Sequence, residues 1–264
     1  MALEKKDLKL LAELRKCYPN GDDLCILGDC HFHFNNEELL EISGIKKNNS
    51  SNLSRTDLNS FKSALNFKRA ETLDIEGSPT IKLDLQKPIP KDLESRFDWI
   101  IDAGTLFWCF DIAFVWKNIL SMIKEDGCVF HLNAMSGYFG RGYYSFQPRL
   151  FADFYNQNGF EVITLAFRLR PPHILIKKNT TISKLKESFH NIAGLEKKLD
   201  WQKIPQKDIF LNKVGRLEMK FADSMADIEP DMIPNNAIVG CFARRIKKVP
   251  FASPIPKRWW PKSL

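Results

Sequence analysis

The sequence predicts an α/β fold, a doubly wound and mostly parallel sheet with an inserted cap segment. Three observations point there. Short apolar runs recur along the chain, each closed by a glycine or an aspartate, and stripes of apolar residues at helical spacing lie between them. The 264 residues are 44% hydrophobic and 27% charged, the composition of a soluble globular chain large enough for one generous domain or two small ones. Glycine and proline follow no triplet period. The longest apolar stretch, Leu106 to Trp116, is broken by Asp111 and falls well short of the run of about 20 residues that a spanning helix needs.

Leu8, Leu11 and Leu14 predict an opening amphipathic helix, ended by Asn20-Gly21-Asp22. Leu24 to Gly28 reads as a buried parallel strand. Residues 36–45 are helix-like, 46–54 a polar loop, and Leu58, Phe61 and Leu65 mark another helix face. Short strands are expected at 72–74 and 81–85, and a stronger one at 97–102. Ile112, Val115, Ile119 and Met122 trace one stripe of a helix that Asp126-Gly127 stops, before a buried strand at 128–132. Gln147-Pro148 opens a helix with proline in a favoured early position; Gly159 closes it. A strand over 161–168 ends before Pro171-Pro172, and Ala237 to Phe242 must return to the same sheet. The resulting division is a core of 1–168 and 236–246, an insertion or cap at 169–235, and a basic Pro/Trp tail at 247–264.

The chain carries 39 Lys/Arg against 32 Asp/Glu, and the last 21 residues, from Arg244, hold seven of those bases and no acid. The remainder is neutral, and it shows no basic stripe interleaved with aromatics, so nucleic acid is not an expected partner. The tail, with Trp259 and Trp260 between prolines, suits a membrane headgroup surface or another anionic partner; the plainer reading is a solvated tail packed by its tryptophans. Charges where a secretory apolar block would stand predict a cytoplasmic protein, which leaves the sequons at Asn48, Asn49, Asn52 and Asn179 without a role. Six scattered cysteines without a C-x-x-C pair are expected as reduced, mostly buried thiols.

In a doubly wound sheet, ligands bind beyond the carboxyl ends of the strands. Gly28, Asp29, Asp74, Asp84, Asp102 and Gly104 all follow or end predicted strands and would line one rim. There, carboxylates accept bonds from ribose hydroxyls or an adenine amine, and glycines permit close approach. Helix and turn capping explains any one of these aspartates equally well.

Leu83-Asp84-Leu85, FDWIIDAGTLFWCFD (97–111), DGCVFHL (126–132), GYFGRGYYSFQPRLF (137–151) and NGFEV (158–162) together resemble class I S-adenosylmethionine-dependent methyltransferases. More narrowly, the pattern is similar to methyltransferase-like proteins encoded with polysaccharide-biosynthesis genes; it covers residues 80–162 well and 24–29 loosely. The resemblance implies a Rossmann-like fold, S-adenosylmethionine as cofactor and O-methylation of a sugar or glycan precursor. It places Gly28 and Asp29 near the methionine portion, Asp74 near the ribose, Asp84 near the adenine, and Asp102 and Gly104 at the reactive side. His131 would be the base for a hydroxyl acceptor, or else a core histidine, while Arg141, Tyr143 and Tyr144 would hold that acceptor. The chain departs from the family where Phe107-Trp108 replace Glu-His and Arg141-Gly142 replace His-Gly, which motivates an alternative: a catalytically degenerate member that serves as a binding or assembly partner.

Other chemistries have weaker signals. Asp29-Cys30-His31-Phe32-His33 offers soft ligands, with His31 and His33 on one extended face, but a site needs at least a third ligand and no other His/Cys cluster supplies it, so no metal is expected. The G-x-S-x-G, P-loop and G-x-G-x-x-G motifs are all missing, which sets aside typical hydrolases, triphosphatases and dehydrogenases. Gly137, Gly140 and Gly142, interleaved with aromatics at 138, 139, 143 and 144, read as a ring-stacking lid or as a surface turn.

Overall fold

The computed structural model describes residues 2–45, 56–136, 138, 141–169, 202–203, 209–211, 217–219 and 237–255. The polar loop with its three sequons, Asn179, Gly137, Phe139, Gly140, most of the predicted cap and the tail from residue 256 lie outside the described residues.

The chain begins with β1 (Ala2–Glu4) and α1 (Lys5–Cys17), whose Leu8, Leu11 and Leu14 are buried as the spacing requires. There follow β2 (Asp23–Leu27), β3 (His31–His33), α2 (Asn36–Ser43) and α3 (Leu58–Ala64), the last two capped by Asn35 and Asp57. Next come β4 (Arg69–Asp74), β5 (Ile81–Lys82), β6 (Phe97–Asp102) and α4 (Ile112–Met122). The second half holds β7 (Ile123–Ser136), α5 (Pro148–Gln157), β8 (Phe160–Leu169), β9 (Gln202–Lys203), the antiparallel pair β10 (Ile209–Leu211) and β11 (Leu217–Met219), and β12 (Ala237–Arg245).

The main sheet has the order β5-β4-β2-β6-β7-β12-β8-β9. Strands β5 to β7 run parallel, and β12 slots antiparallel between β7 and β8, so the doubly wound, mostly parallel architecture is present. Alternation along β2 and β6 divides the core between the two faces. Leu24, Ile26, Trp99 and Ile101 meet α1 and α3 on one side, while Cys25, Leu27 and Ile100 belong with Val115, Trp116 and Phe154 of α4 and α5 on the other.

Several expectations need correction. The strand expected at 81–85 is only two residues long; Asp84 lies beyond it in a turn, its carboxylate accepting from Gln86 N–H at 2.9 Å. Helix α4 stops at Met122, ahead of Asp126-Gly127, and the next strand already begins at Ile123. β1 pairs in parallel with β3, a contact between distant short segments with no local signature. Within the predicted cap, β9 extends the main sheet.

Of the seven bases assigned to the tail region, two belong to the fold. Arg245 is buried and donates to the carbonyls of Leu120 and Ile123 at 2.8 and 2.9 Å, and Arg244 pairs with Asp126 at 2.8 Å. Residues beyond β12 pack on α5: Asn158 exchanges hydrogen bonds with Ala252, and the Phe251 ring meets Phe154 in a tilted pair at 6.2 Å. The described start of the tail is therefore an arm laid over the core. All six cysteines are free; four are buried, whereas Cys17 is exposed and Cys30 half-buried.

At the opposite edge from the strand carboxyl ends, buried Asp23 accepts from the Arg69 guanidinium and from Lys124 at 2.8 Å. The hydrogen bond from Arg69 above all holds its carboxyl down to about 2 against the usual 3.8. Because the folded value is the lower one, its contribution is complete above about pH 4 and disappears as pH falls through about 2. Acid titration of unfolding should lose about 2 kcal/mol over that window. Asp23→Asn should flatten this part of the profile, and an unchanged slope would remove Asp23 as its source.

Candidate functional site

Strand order reverses between β2, which leads outward to β4 and β5, and β6, which leads the other way to β7. That switch point is where an open α/β sheet forms a crevice. Thr105, just past β6, spans it by donating its hydroxyl to the terminal carbonyl of β2, Leu27 O, at 2.7 Å. A cavity of about 370 Å³ lies along this carboxyl edge, within the size range of small-molecule sites. Asp74 from the end of β4, Gly104 and Thr105 after β6, and Asn133 of β7 form its floor, and Ile238 of β12 closes one side. Glu4 and Asp7, brought over by the β1–β3 pairing, add two further carboxylates to the wall.

Asp102 sits at the centre of the buried layer behind this cavity. Its Oδ1 accepts from the backbone N–H groups of Gly104, Thr105 and Leu106, at 3.1, 2.6 and 3.3 Å. Its Oδ2 takes the Nδ1–H of His131 at 2.8 Å and the Nδ2–H of Asn133 at 2.6 Å. His131 Nε2 lies 2.5 Å from the Tyr155 hydroxyl. Burial above all raises the Tyr155 phenol well above its ordinary range, so it keeps its proton and donates it to Nε2. The network then has a single polarity, Tyr155 to His131 to Asp102, with Asn133 as a second donor to the same carboxylate.

This arrangement sorts the expected site residues. Asp74, Gly104 and Arg141 share the cavity wall. Asp74 also ties the rim together, accepting from the N–H groups of Asp29, Ile75 and Glu76 at 2.6, 2.7 and 3.3 Å. Gly28 turns the chain at φ +92° with its N–H on Leu73 O, but it lines neither this cavity nor the second hollow below. Asp102 stands behind the cavity, where it organises the wall, and Asp84 is displaced to its turn. The general-base expectation for His131 is corrected: the residue is 0% exposed, both ring nitrogens are engaged, and Phe151 covers the ring.

Of the aromatic segment, Tyr138 and Arg141 line the cavity. Tyr143 N–H donates to Phe107 O at 2.7 Å, and the Tyr138 ring meets Phe107 edge-on at 5.9 Å. Tyr143 itself is 68% exposed and leans on Phe110, while the Tyr144 hydroxyl is held by Phe110 O at 2.8 Å, so these two tyrosines secure the flap from outside. Gly142 makes the docking possible: at φ +65°, a Cβ there would lie 2.0 Å from the Phe107 ring, and glycine alone has none. Gly142→Ala should undock the flap, seen as at least about fivefold faster hydrogen exchange at the Tyr143 amide, equivalent to about 1 kcal/mol of local stability. Unchanged exchange would mean that the flap does not depend on this contact.

Asp29 lines a second, more open hollow of about 750 Å³ with Cys30, His31 and His33. The two histidines are exposed on one face of β3, as alternation requires. Burial pushes the Cys30 thiol up to about 12. Among the described residues there is no group of three or more His, Cys, Asp or Glu arranged to hold a metal ion. No described helix is long and apolar enough to cross a membrane.

Sequence reasoning missed Asn133 and Tyr155. A strand side chain two positions after His131 shares its face, so Asn133 had a legible signal in the period of two. Tyr155 did not, because its place on the apolar stripe of α5 gives no hint of a hydroxyl partner on a distant strand.

No protein-family model matches the chain, and no curated protein does. Among solved structures, a candidate methyltransferase of Bacillus halodurans is 11% identical, with a TM-score of 0.45 over 91% of this chain and 99% of that one. An O-methyltransferase from a Brevibacillus brevis multienzyme, in complex with S-adenosyl-L-homocysteine, is 9% identical, with a TM-score of 0.42 over 93% and 73%. A SAM-dependent methyltransferase from Archaeoglobus fulgidus is 12% identical, with a TM-score of 0.38 over 91% and 94%.

Proposed function

We propose that the chain is an S-adenosylmethionine-dependent methyltransferase whose cofactor and acceptor share the cavity at the strand carboxyl ends. The observation that carries the reading is the placement of Asp74, Gly104 and Asn133 on one wall across the sheet's switch point. The residues suit such a cofactor. An ionised carboxylate offers about four lone-pair positions, and three backbone N–H groups engage Asp74, which leaves capacity for one ribose hydroxyl. Gly104, at φ +90°, lets a ligand approach the backbone closely. Among the lining residues the carboxylates of Glu4, Asp7 and Asp74 outnumber the cation of Arg141, a balance that favours a ligand bearing a sulfonium and an ammonium.

Bound cofactor would supply an activated methyl group. The protein's own part is to align the acceptor and exclude water, and methyl transfer requires little more than that. Phe107, Trp108 and Tyr138 provide the dry wall and Arg141 an exposed cation at the rim. The sugar-hydroxyl acceptor implied by the sequence would need a base at its oxygen, and His131 cannot reach one. Titration calorimetry of the full chain with S-adenosylhomocysteine tests the reading: micromolar to submillimolar binding supports it, and the absence of binding at millimolar ligand would return the fold to the alternative of a non-catalytic binding partner.

A further inference from the structure

We propose that the acceptor is an aromatic carboxylate, with its ring on an exposed shelf of aromatic side chains at the cavity mouth and its charge on Arg141. This deepens the methyltransferase reading and rests on it for the word acceptor; the binding claim stands on the shelf and the cation alone.

Large apolar side chains exposed singly are ordinary, whereas a group of them marks a surface that meets something. Two docked segments bring three together beside the cavity: Trp108 is 48% exposed, Tyr143 68% and Phe110 72%. Trp108 belongs to the cavity lining, and its ring centre lies 5.2 Å from that of Phe107. Tyr143 is tied to the same wall by its N–H on Phe107 O, and it meets Phe110 edge-on at 6.0 Å. The shelf is also braced. Gln86 Oε1 accepts from the N–H groups of Phe110 and Asp111 at 2.8 and 3.0 Å, and the Tyr144 hydroxyl donates to Phe110 O. A ring laid on this surface therefore meets aromatic faces already held in place, and aromatic pairing adds to the gain from area alone.

Arg141 supplies the charge. It is exposed, it is the one cation in the cavity lining, and its guanidinium has no ion pair or hydrogen bond among the described residues. A guanidinium presents a planar fork that matches a carboxylate. Glu4, Asp7 and Asp74 repel an anion from the rest of the wall, so an acidic ligand keeps its charge at Arg141, two residues from Tyr143. Size points the same way. The cavity of about 370 Å³ is near the lower end of the range for one small-molecule site. With the cofactor inside, only part of an acceptor enters and its body rests on the shelf.

The probes are 2-naphthoate and its uncharged carboxamide, alike in ring and shape and different in charge. Each is titrated calorimetrically into the full chain at low salt, with and without saturating S-adenosylhomocysteine. Wild type should bind naphthoate about fivefold more tightly than the carboxamide in both conditions. Arg141→Gln should bring the two within about twofold. Phe110→Ser, outside the cavity lining, should weaken both probes alike by about fivefold. Both side chains are exposed, so both variants should fold. Equal or absent binding of the two probes by wild type overturns the proposal, as does a preference that survives Arg141→Gln or an affinity that survives Phe110→Ser. Displacement of naphthoate by S-adenosylhomocysteine overturns it too, because the ring would then occupy the cavity itself. A loss of S-adenosylhomocysteine affinity in Arg141→Gln, with the naphthoate preference intact, gives the cation to the cofactor and has the same result. Failure of S-adenosylhomocysteine to bind wild type, with the charge preference and both losses intact, removes the cofactor reading and leaves the aromatic anion site standing.

Discussion

Asp102→Ala should lower the unfolding free energy by about 3–5 kcal/mol, the largest loss expected from any single polar substitution in this chain. The carboxylate is fully buried and accepts five hydrogen bonds, three from the loop that forms the cavity floor and two from side chains of β7. Alanine leaves five donors facing a gap, and each unsatisfied buried group costs about 1–3 kcal/mol before relaxation. Relaxation recovers part of this, since the N–H of Leu106 is held at 3.3 Å, a weak contact, and the loop can take up water. Asp102→Asn should cost only about 1–2 kcal/mol: its oxygen keeps the backbone donors, and imidazole can change tautomer to accept from the new amide while donating to Tyr155. Urea unfolding of both variants at neutral pH gives the comparison. An alanine variant within about 1 kcal/mol of wild type would mean that the network contributes orientation and no net stability.

The same network shows what the sequence could and could not disclose. Strands β2, β6, β7 and β12 were legible because they lie in the middle of the sheet and are apolar on both faces, and α4 and α5 because their buried stripes keep helical spacing. Position after a strand also brought Asp74 and Gly104 to the cavity wall, since the carboxyl edge is a property of topology. The same rule did not set apart Asp102 and Asp84, whose carboxylates turn to the loops that follow them and do not line the cavity. Whether a strand-end aspartate faces a ligand or turns back to cap the following loop depends on the loop's backbone path, which residue types do not encode. His131 illustrates the complementary limit. A histidine at the end of a buried strand suits catalysis by chemistry alone, and only the Tyr155 hydroxyl, contributed from 24 residues away, shows that its second nitrogen is spent inside the core. Arg244 and Arg245 were counted with the basic tail for a similar reason: charge is visible in a sequence, but the carbonyls of Leu120 and Ile123 that bury one of them are not.

Asp74→Ala should weaken S-adenosylhomocysteine binding by about 30- to 100-fold, the largest loss of affinity expected from one wall residue. The estimate corresponds to about 2–2.7 kcal/mol, the worth of a charge-assisted hydrogen bond together with the loss of a fixed rim. Both parts follow from one carboxylate, which holds Asp29 N–H across the gap between β2 and β4 while keeping one acceptor position for ligand. Asp74→Asn separates them. Its amide oxygen can still accept from Ile75 and Glu76, but its NH2 opposes the Asp29 N–H, so the rim loosens while a polar group remains at the cavity. An affinity midway between wild type and Asp74→Ala is therefore expected. Since Asp74 is only half-buried, both variants should fold, and thermal unfolding checks that independently. An affinity that survives Asp74→Ala would move the nucleoside to the neighbouring hollow at Asp29, where His31 and His33 are the polar groups at hand. His31→Ala would then show the loss instead.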